Sequence, residues 1–220
     1  AGITKIYLNM PYFPFARQDR AMVDGEPLAL QVMADIIKMC NFSEVQIDDP
    51  HSDVLAGMFP PGLLMVRQQH QIWAAKLEAS FRSNPANYPN PCLVSPDAGA
   101  LKKIYKLAKT LNLPVVEAGK QRDVSTGDIV ATTIDTEQVA RYQTFFIVDD
   151  ILDYGRTFLE LAKVIKAANP TAKLVLCITH GLFSGGYAHF DGVFDEVMVI
   201  NLMNDKDEQP KWLSASSTAG

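Results

Sequence analysis

The sequence predicts an α/β protein built on parallel sheet, and three observations carry that prediction. Short apolar runs rich in β-branched residues alternate with longer segments whose apolar residues recur every three or four positions. Most of the short runs are continuously apolar, as strands covered on both faces are. At 220 residues and 48% hydrophobic content, the chain can bury a substantial core as one large domain or two small ones.

The expected strands, in order, are 5–9, 44–48, 92–95, 114–117, 144–148, 173–179 and 196–200. Between the first two, Pro27 can occupy the first turn of a helix that places Leu28, Val32, Ile36 and Cys40 on one face. Residues 62–81 are helix-compatible but less regular. Leu101, Ile104, Tyr105, Ala108 and Leu111 make a second helical stripe, and Phe158, Leu161, Ala162 and Ile165 a third that Asn169-Pro170 ends. Strands alternating with helices of this length imply βαβ units. The Asn- and Pro-rich stretch 84–91 is the natural boundary, dividing the chain into 1–83 and 84–220. The small polar tail 214–220 is expected to fray. Met33, Ile36, Ile104, Phe146, Ile147, Leu161, Val175 and Cys177 are expected in the core, while Trp73 and Trp212 carry no readable function.

Composition excludes several classes. The apolar content excludes a disordered chain. With 20 basic and 25 acidic residues, a net charge of −5 argues against nucleic-acid binding, which rests on clustered Lys and Arg. Cys40, Cys92 and Cys177 stand singly in apolar stretches and read as buried free thiols of a reducing compartment. The most apolar run, 54–66, is broken by Pro60-Pro61-Gly62 and is too short to span a bilayer, and no signal peptide is evident. The chain begins at Ala1 rather than Met and reads as a processed or trimmed product.

Ligands of open parallel sheets collect beyond the C-terminal ends of strands. After 144–148 comes Asp149-Asp150-Ile151-Leu152-Asp153-Tyr154-Gly155-Arg156-Thr157, then a helix. A strand, a glycine turn and a helix N-terminus make an anion site, and two adjacent carboxylates call for sugar hydroxyls or a divalent cation to satisfy them. Asp97, in Ser95-Pro96-Asp97, is either a helix N-cap or an Mg²⁺ ligand. His51 stands among Asp48, Asp49 and Asp53, an oxygen-rich setting that suits Mg²⁺ rather than zinc. Two basic segments complement these acids: Arg17-Gln18-Asp19-Arg20 after the first strand, and Lys120-Gln121-Arg122 opening a stretch with no evident element.

Taken together, these segments resemble the ribose-phosphate diphosphokinases (phosphoribosyl diphosphate synthetases), built on the type I phosphoribosyltransferase fold. The resemblance runs in order through Pro11-Tyr12, Ala16–Arg20, Glu26-Pro27, Asp49-Pro50-His51, Ser95-Pro96-Asp97, Lys120-Gln121-Arg122, Val148–Ile151 and Thr179–Gly185. It implies Rossmann-like halves, the N-terminal one truncated, in a cytoplasmic homo-oligomer. It further implies Mg²⁺-dependent transfer of the β,γ-diphosphate of ATP to the 1-hydroxyl of ribose 5-phosphate. Arg17 and Gln18 would then contact ATP, and His51 and Asp97 would hold Mg²⁺. Lys120 and Arg122 would close over the diphosphate as catalytic residues. Asp149 and Asp150 would bind the ribose hydroxyls, and Asp153, Tyr154, Gly155, Arg156 and Thr157 the 5′-phosphate.

Two departures from the family pattern bear on function. The segment after Arg20 is Ala21–Gly25 where the family commonly carries a basic run. Tyr154 replaces a small hydroxyl residue in the phosphate turn, which raises a substituted ribose phosphate such as ADP-ribose as an alternative substrate. A second alternative is a non-catalytic regulatory homologue; the presence of Lys120, Arg122, Asp149 and Asp150 argues against it.

Overall fold

A computed structural model describes residues 2–21, 23–122, 129–204 and 208–216, the side chains of 120–122 and 129–131 excepted. Two compact units divide between Gln68 and Gln69. Among the described residues, no helix is long and apolar enough to cross a membrane.

The first unit carries a three-stranded parallel sheet: β1 (Tyr7–Asn9), β2 (Glu44–Asp48) and β3 (Leu64–Arg67), in that spatial order. Helix α1 (Ala29–Met39) crosses from β1 to β2, and the short α2 (Val54–Gly57) follows β2. The core joins Leu30, Ala34 and Ile37 of α1 to Val45, Ile47, Leu55, Phe13 and Phe59. The expected stripe of α1 is therefore displaced: Val32 and Ile36 are 54% and 49% exposed, Met33 is only half-buried, and Cys40 is exposed. Apolar residues lie on both sides of this helix, and the face carrying the small Ala34 is the one that meets the sheet.

The second unit is a seven-stranded sheet. Its strands are β4 (Pro91–Ser95), β5 (Val115–Arg122), β6 (Ile129–Ile134), β7 (Thr144–Leu152), β8 (Lys173–Gly181), β9 (Glu196–Leu202) and β10 (Leu213–Ala215). The spatial order is β10-β9-β8-β7-β4-β5-β6, with all pairs parallel except β5 with β6. Along β7, Phe145 and Ile147 enter one core while Phe146 and Val148 enter the other. The same alternation runs through β8 and β9, which explains why these strands read as unbroken apolar runs. Helices α3 (Gln69–Ser83) and α4 (Leu101–Leu111) supply Trp73, Leu77, Ile104 and Leu107 to one face. Helix α6 (Arg156–Ala168) supplies Phe158, Leu161, Ala162 and Ile165 to the other, joined by Val139 of α5 (Thr136–Val139).

Several boundaries differ from expectation. Residues 62–81 split into β3 and α3, because pairing with β2 overrides the helical pattern of the first part. The compact units part ahead of α3 and not at 84–91, because Trp73, Ala74 and Leu77 are buried in the core of the second unit. Residues 214 and 215, expected to fray, belong instead to β10, paired with β9, while 217–220 lie outside the described residues. Lys120–Arg122, expected without an element, belong to β5 in an antiparallel ladder with β6.

Burial also sorts the thiols, pushing the ionisation of Cys92 and Cys177 far above the usual thiol range. Titration of the native chain with a thiol reagent should count one reactive cysteine, Cys40; all three should react after denaturation.

Candidate active site

In the first unit, the segment after β1 is fastened by its apolar residues. Phe13 is buried edge-on against Phe59, their centroids 6.1 Å apart, and Ala16 is buried as well. Phe15 takes a left-handed conformation with φ 60°, and its carbonyl accepts from the Gln18 amide at 2.8 Å. This leaves Arg17 and Gln18 exposed. The segment runs beside the end of β2, where the Asp48 amide donates to the Pro11 carbonyl at 2.9 Å. Burial pushes the Asp19 carboxyl up, but hydrogen bonds from Arg20 and Ser52 and the charges of Arg20 and His51 bring it below its ordinary value. The Arg-Gln-Asp-Arg and Asp-Pro-His segments are thus neighbours in space.

The end of β2 is pinned as well. Asp48 is buried and takes a two-pronged ion pair from Arg67 of β3, with Nε to Oδ1 at 2.6 Å and Nη2 to Oδ2 at 2.5 Å. Asp49 follows with φ 37°, its amide donating to the Arg67 carbonyl at 2.8 Å. Sequence reading missed Arg67, since its strand was hidden in a helix-compatible stretch.

In the second unit, strand β7 does not stop at Val148 but continues through Leu152, so the acidic pair belongs to the strand. Asp149 pairs in register with Ile178 of β8, and Asp149 Oδ1 accepts from the Asp150 amide at 2.9 Å. Asp150 is buried and bound by Lys103 of α4, Nζ to Oδ2 at 2.7 Å. Burial holds the Asp149 carboxyl well above the ordinary carboxylate range, helped by the nearby Asp150 and Asp97 charges and opposed by the Asp150 amide and Lys103. Lys103 is the residue the sequence concealed, because one lysine among several on a helix has no distinguishing pattern.

Asp97 lies at the turn into α4. Its Oδ1 accepts from the amides of Gly99 at 3.0 Å and Ala100 at 3.2 Å, and its carbonyl accepts from the Ser95 hydroxyl at 2.8 Å. One oxygen thus performs the cap-like role foreseen for it. His180 and Asn201, paired across β8 and β9, are buried with Nδ1 and Nδ2 at 3.4 Å. Thr179 accepts from the indole of Trp73 at 3.1 Å, which gives that tryptophan a role in fixing β8 against α3.

After β7 the chain turns through Asp153, Tyr154 and Gly155 into α6. Gly155 has φ 74°, and a Cβ there would strike the Phe190 ring, with Cε1 only 2.6 Å away. Phe190 belongs to a one-turn helix (Ala188–Phe190) inside a set of aromatic contacts with Phe183, Phe194 and Trp212. Trp212 also donates its indole hydrogen to Asp191 at 2.6 Å. Glycine alone lets the turn sit on this support. Arg156 and Tyr154 are exposed and Thr157 is half-buried, at the end of α6 where first-turn amides lack intrahelical acceptors. The side chains of Lys120 and Arg122 lie outside the described residues. Their backbone places them on β5, Lys120 opposite Thr132 and Arg122 opposite Ile129.

Among the described residues, no group of three or more His, Cys, Asp or Glu side chains is gathered as a metal cage. Mg²⁺ does not ask for one. It keeps several waters and takes one or two carboxylates together with substrate phosphates, so an oxygen donor such as Asp97 fits its chemistry.

Two outcomes follow from this geometry. Between the ordinary carboxylate value and the raised value of Asp149, the folded state holds the extra proton, so this group's contribution to stability falls as pH rises. Asp149→Asn, which keeps the Oδ1 acceptor, should raise the melting temperature at about pH 7, with the gain shrinking towards about pH 4, in thermal unfolding with a chelator present. Gly155→Ala should destabilise the fold by roughly 2 kcal/mol or more in denaturant titration, from the left-handed backbone and the Phe190 clash together.

The chain matches the family described as phosphoribosyl transferase domain over residues 66–184. It is 30% identical over 191 residues to a ribose-phosphate pyrophosphokinase of Mycoplasma pneumoniae, covering 86% of this chain and 55% of that one. It is 27% identical over 224 residues to the Staphylococcus aureus protein of the same name, covering 100% of this chain and 67% of that one. The chain thus spans about half to two-thirds the length of these relatives. The crystal structure of phosphoribosylpyrophosphate synthetase from Mycobacterium smegmatis superposes with a TM-score of 0.80 at 22% identity, over 97% of this chain and 67% of that one, and shares its fold. With more than half its length matched, from β3 through the strand that carries the acidic pair and on past β8, the chain belongs to the phosphoribosyl transferase domain family.

Proposed function

We propose that this chain transfers the β,γ-diphosphate of ATP to the anomeric 1-hydroxyl of ribose 5-phosphate, giving phosphoribosyl diphosphate and AMP. The observation that carries the reading is the continuity of one element. Strand β7 delivers Asp149 and Asp150, and the next residues form a glycine turn into the positive end of α6. A sugar phosphate matches that sequence of groups, hydroxyls on the acids and phosphate on the turn. The ribose-phosphate pyrophosphokinases it resembles support the same choice of substrates.

In this reading the C1 oxygen attacks the β-phosphorus, the bond from that phosphorus to the bridging oxygen of AMP breaks, and the hydroxyl proton leaves to solvent. Such a transfer needs in-line positioning and charge neutralisation more than covalent help. Asp149 and Asp150 orient the ribose by accepting from its hydroxyls, and Lys103 holds Asp150 in place for that role. Residues 153–157 hold the 5′-phosphate, Arg17 and Gln18 contact ATP, and Lys120 and Arg122 offset the charge developing on the transferring group. His51 of the first unit and Asp97 of the second are each a residue that would hold Mg²⁺, which would neutralise phosphate oxygens when bound.

The test is AMP release from ATP with ribose 5-phosphate as acceptor. Lys120→Ala should lower turnover by about 10²-fold or more, while ribose 5-phosphate binding and thermal stability stay near those of the parent. Turnover close to the parent's would remove Lys120 from the reaction.

A further inference from the structure

The 153–157 turn bears a feature that a terminal phosphate does not call for. Tyr154 is 64% exposed, although it lies in a turn whose neighbours Leu152 and Gly155 are buried. Its ring is seated against Gly185: a Cβ on Gly185 would lie 3.2 Å from Tyr154 Cδ1 and 2.9 Å from His189 Cε1. Two rings therefore share the space left by one missing side chain. His189 is exposed too, and rests on Phe190 with ring centroids 4.5 Å apart and planes 39° apart. Phe190 is the ring that fills the space above Gly155. The exposed pair is thus built on the same buried support as the phosphate turn.

Exposed, backed aromatic rings are the usual means of holding a planar group. They offer a face for stacking and lose little freedom on binding. Arg156, exposed on the first turn of α6, adds a fixed positive charge beside the first phosphate position. An aromatic surface and a second cation next to one phosphate suit a diphosphate ester whose far end carries a base.

We propose that Tyr154 and His189, seated on Gly185, form a recognition surface for the base of a nucleoside diphosphate-ribose such as ADP-ribose. With this longer ligand Thr157 and the amides of the turn would hold the phosphate nearest the reacting sugar, and Arg156 would turn from that phosphate to the next. This rests on the proposed reading of the turn as a sugar-phosphate site. The bond changes are the same as with ribose 5-phosphate: the free C1 oxygen of the terminal ribose attacks the β-phosphorus of ATP and AMP departs.

The experiment compares kcat/KM for AMP release with ribose 5-phosphate and with ADP-ribose, in the parent chain, Tyr154→Thr and Tyr154→Phe. The parent should turn over ADP-ribose as well as ribose 5-phosphate. The ADP-ribose to ribose 5-phosphate ratio should fall about tenfold or more in Tyr154→Thr, as the loss of one stacked base requires, and survive in Tyr154→Phe. Turnover of ribose 5-phosphate without turnover of ADP-ribose overturns this inference and leaves the proposed function standing. An unchanged ratio in a folded Tyr154→Thr also overturns it, since the ring then only supports the turn. Failure of the parent chain on both acceptors overturns the reading of the site itself, and the inference with it.

Discussion

Placing two carboxyl groups next to each other at the end of a buried strand is the constraint around which the second unit is arranged. Strand β7 is apolar on both faces up to Val148, so its path is held by two cores at once. Immediately beyond, Asp149 and Asp150 bring charge to a place that burial makes unfavourable. Lys103, carried by α4 from the other side of β4, compensates one of them. The other keeps an elevated proton affinity, an energetic strain that sugar hydroxyls or a cation would relieve. Stability is given up at this strand end, and the doubly covered sheet supplies the rigidity that tolerates it.

The first unit resolves the same problem by pairing. Asp48 is as buried as Asp150, and Arg67 meets it with both prongs of the guanidinium. That pair ties the ends of β2 and β3 together and fixes where the Asp-Pro-His segment leaves the sheet. The Arg-Gln-Asp-Arg segment is fixed differently, by Phe13 and Ala16 sinking into the core. In each case an apolar or paired anchor immediately precedes the exposed polar residues assigned to binding.

Much of this was legible from residue order alone. Strands covered on both faces announce themselves as continuous apolar runs, so the expected bounds of β2, β4, β8 and β9 lie within two residues of the observed ones, while for β7 only the start agrees, its acidic pair lying inside the strand. What escaped notice depends on contacts distant in sequence. The side of α1 that is buried is chosen by the sheet beneath it, not by its own pattern. Strand β3 is short and exists because β2 offers a partner, and β6 and β10 are edge strands with no apolar run of their own. Lys103 and Arg67 are ordinary surface residues until a folded neighbour brings a buried carboxylate within reach.

The glycine at position 155 has a reach beyond its own turn. By admitting Phe190, it lets the N-terminal end of α6 rest on a line of rings that extends to Trp212, whose indole is hooked to Asp191. Trp212 in turn immediately precedes β10, the outermost strand of the sheet. The glycine turn and the sheet's last strand are therefore joined in one mechanical train, and slack introduced at the periphery would be transmitted to the start of α6.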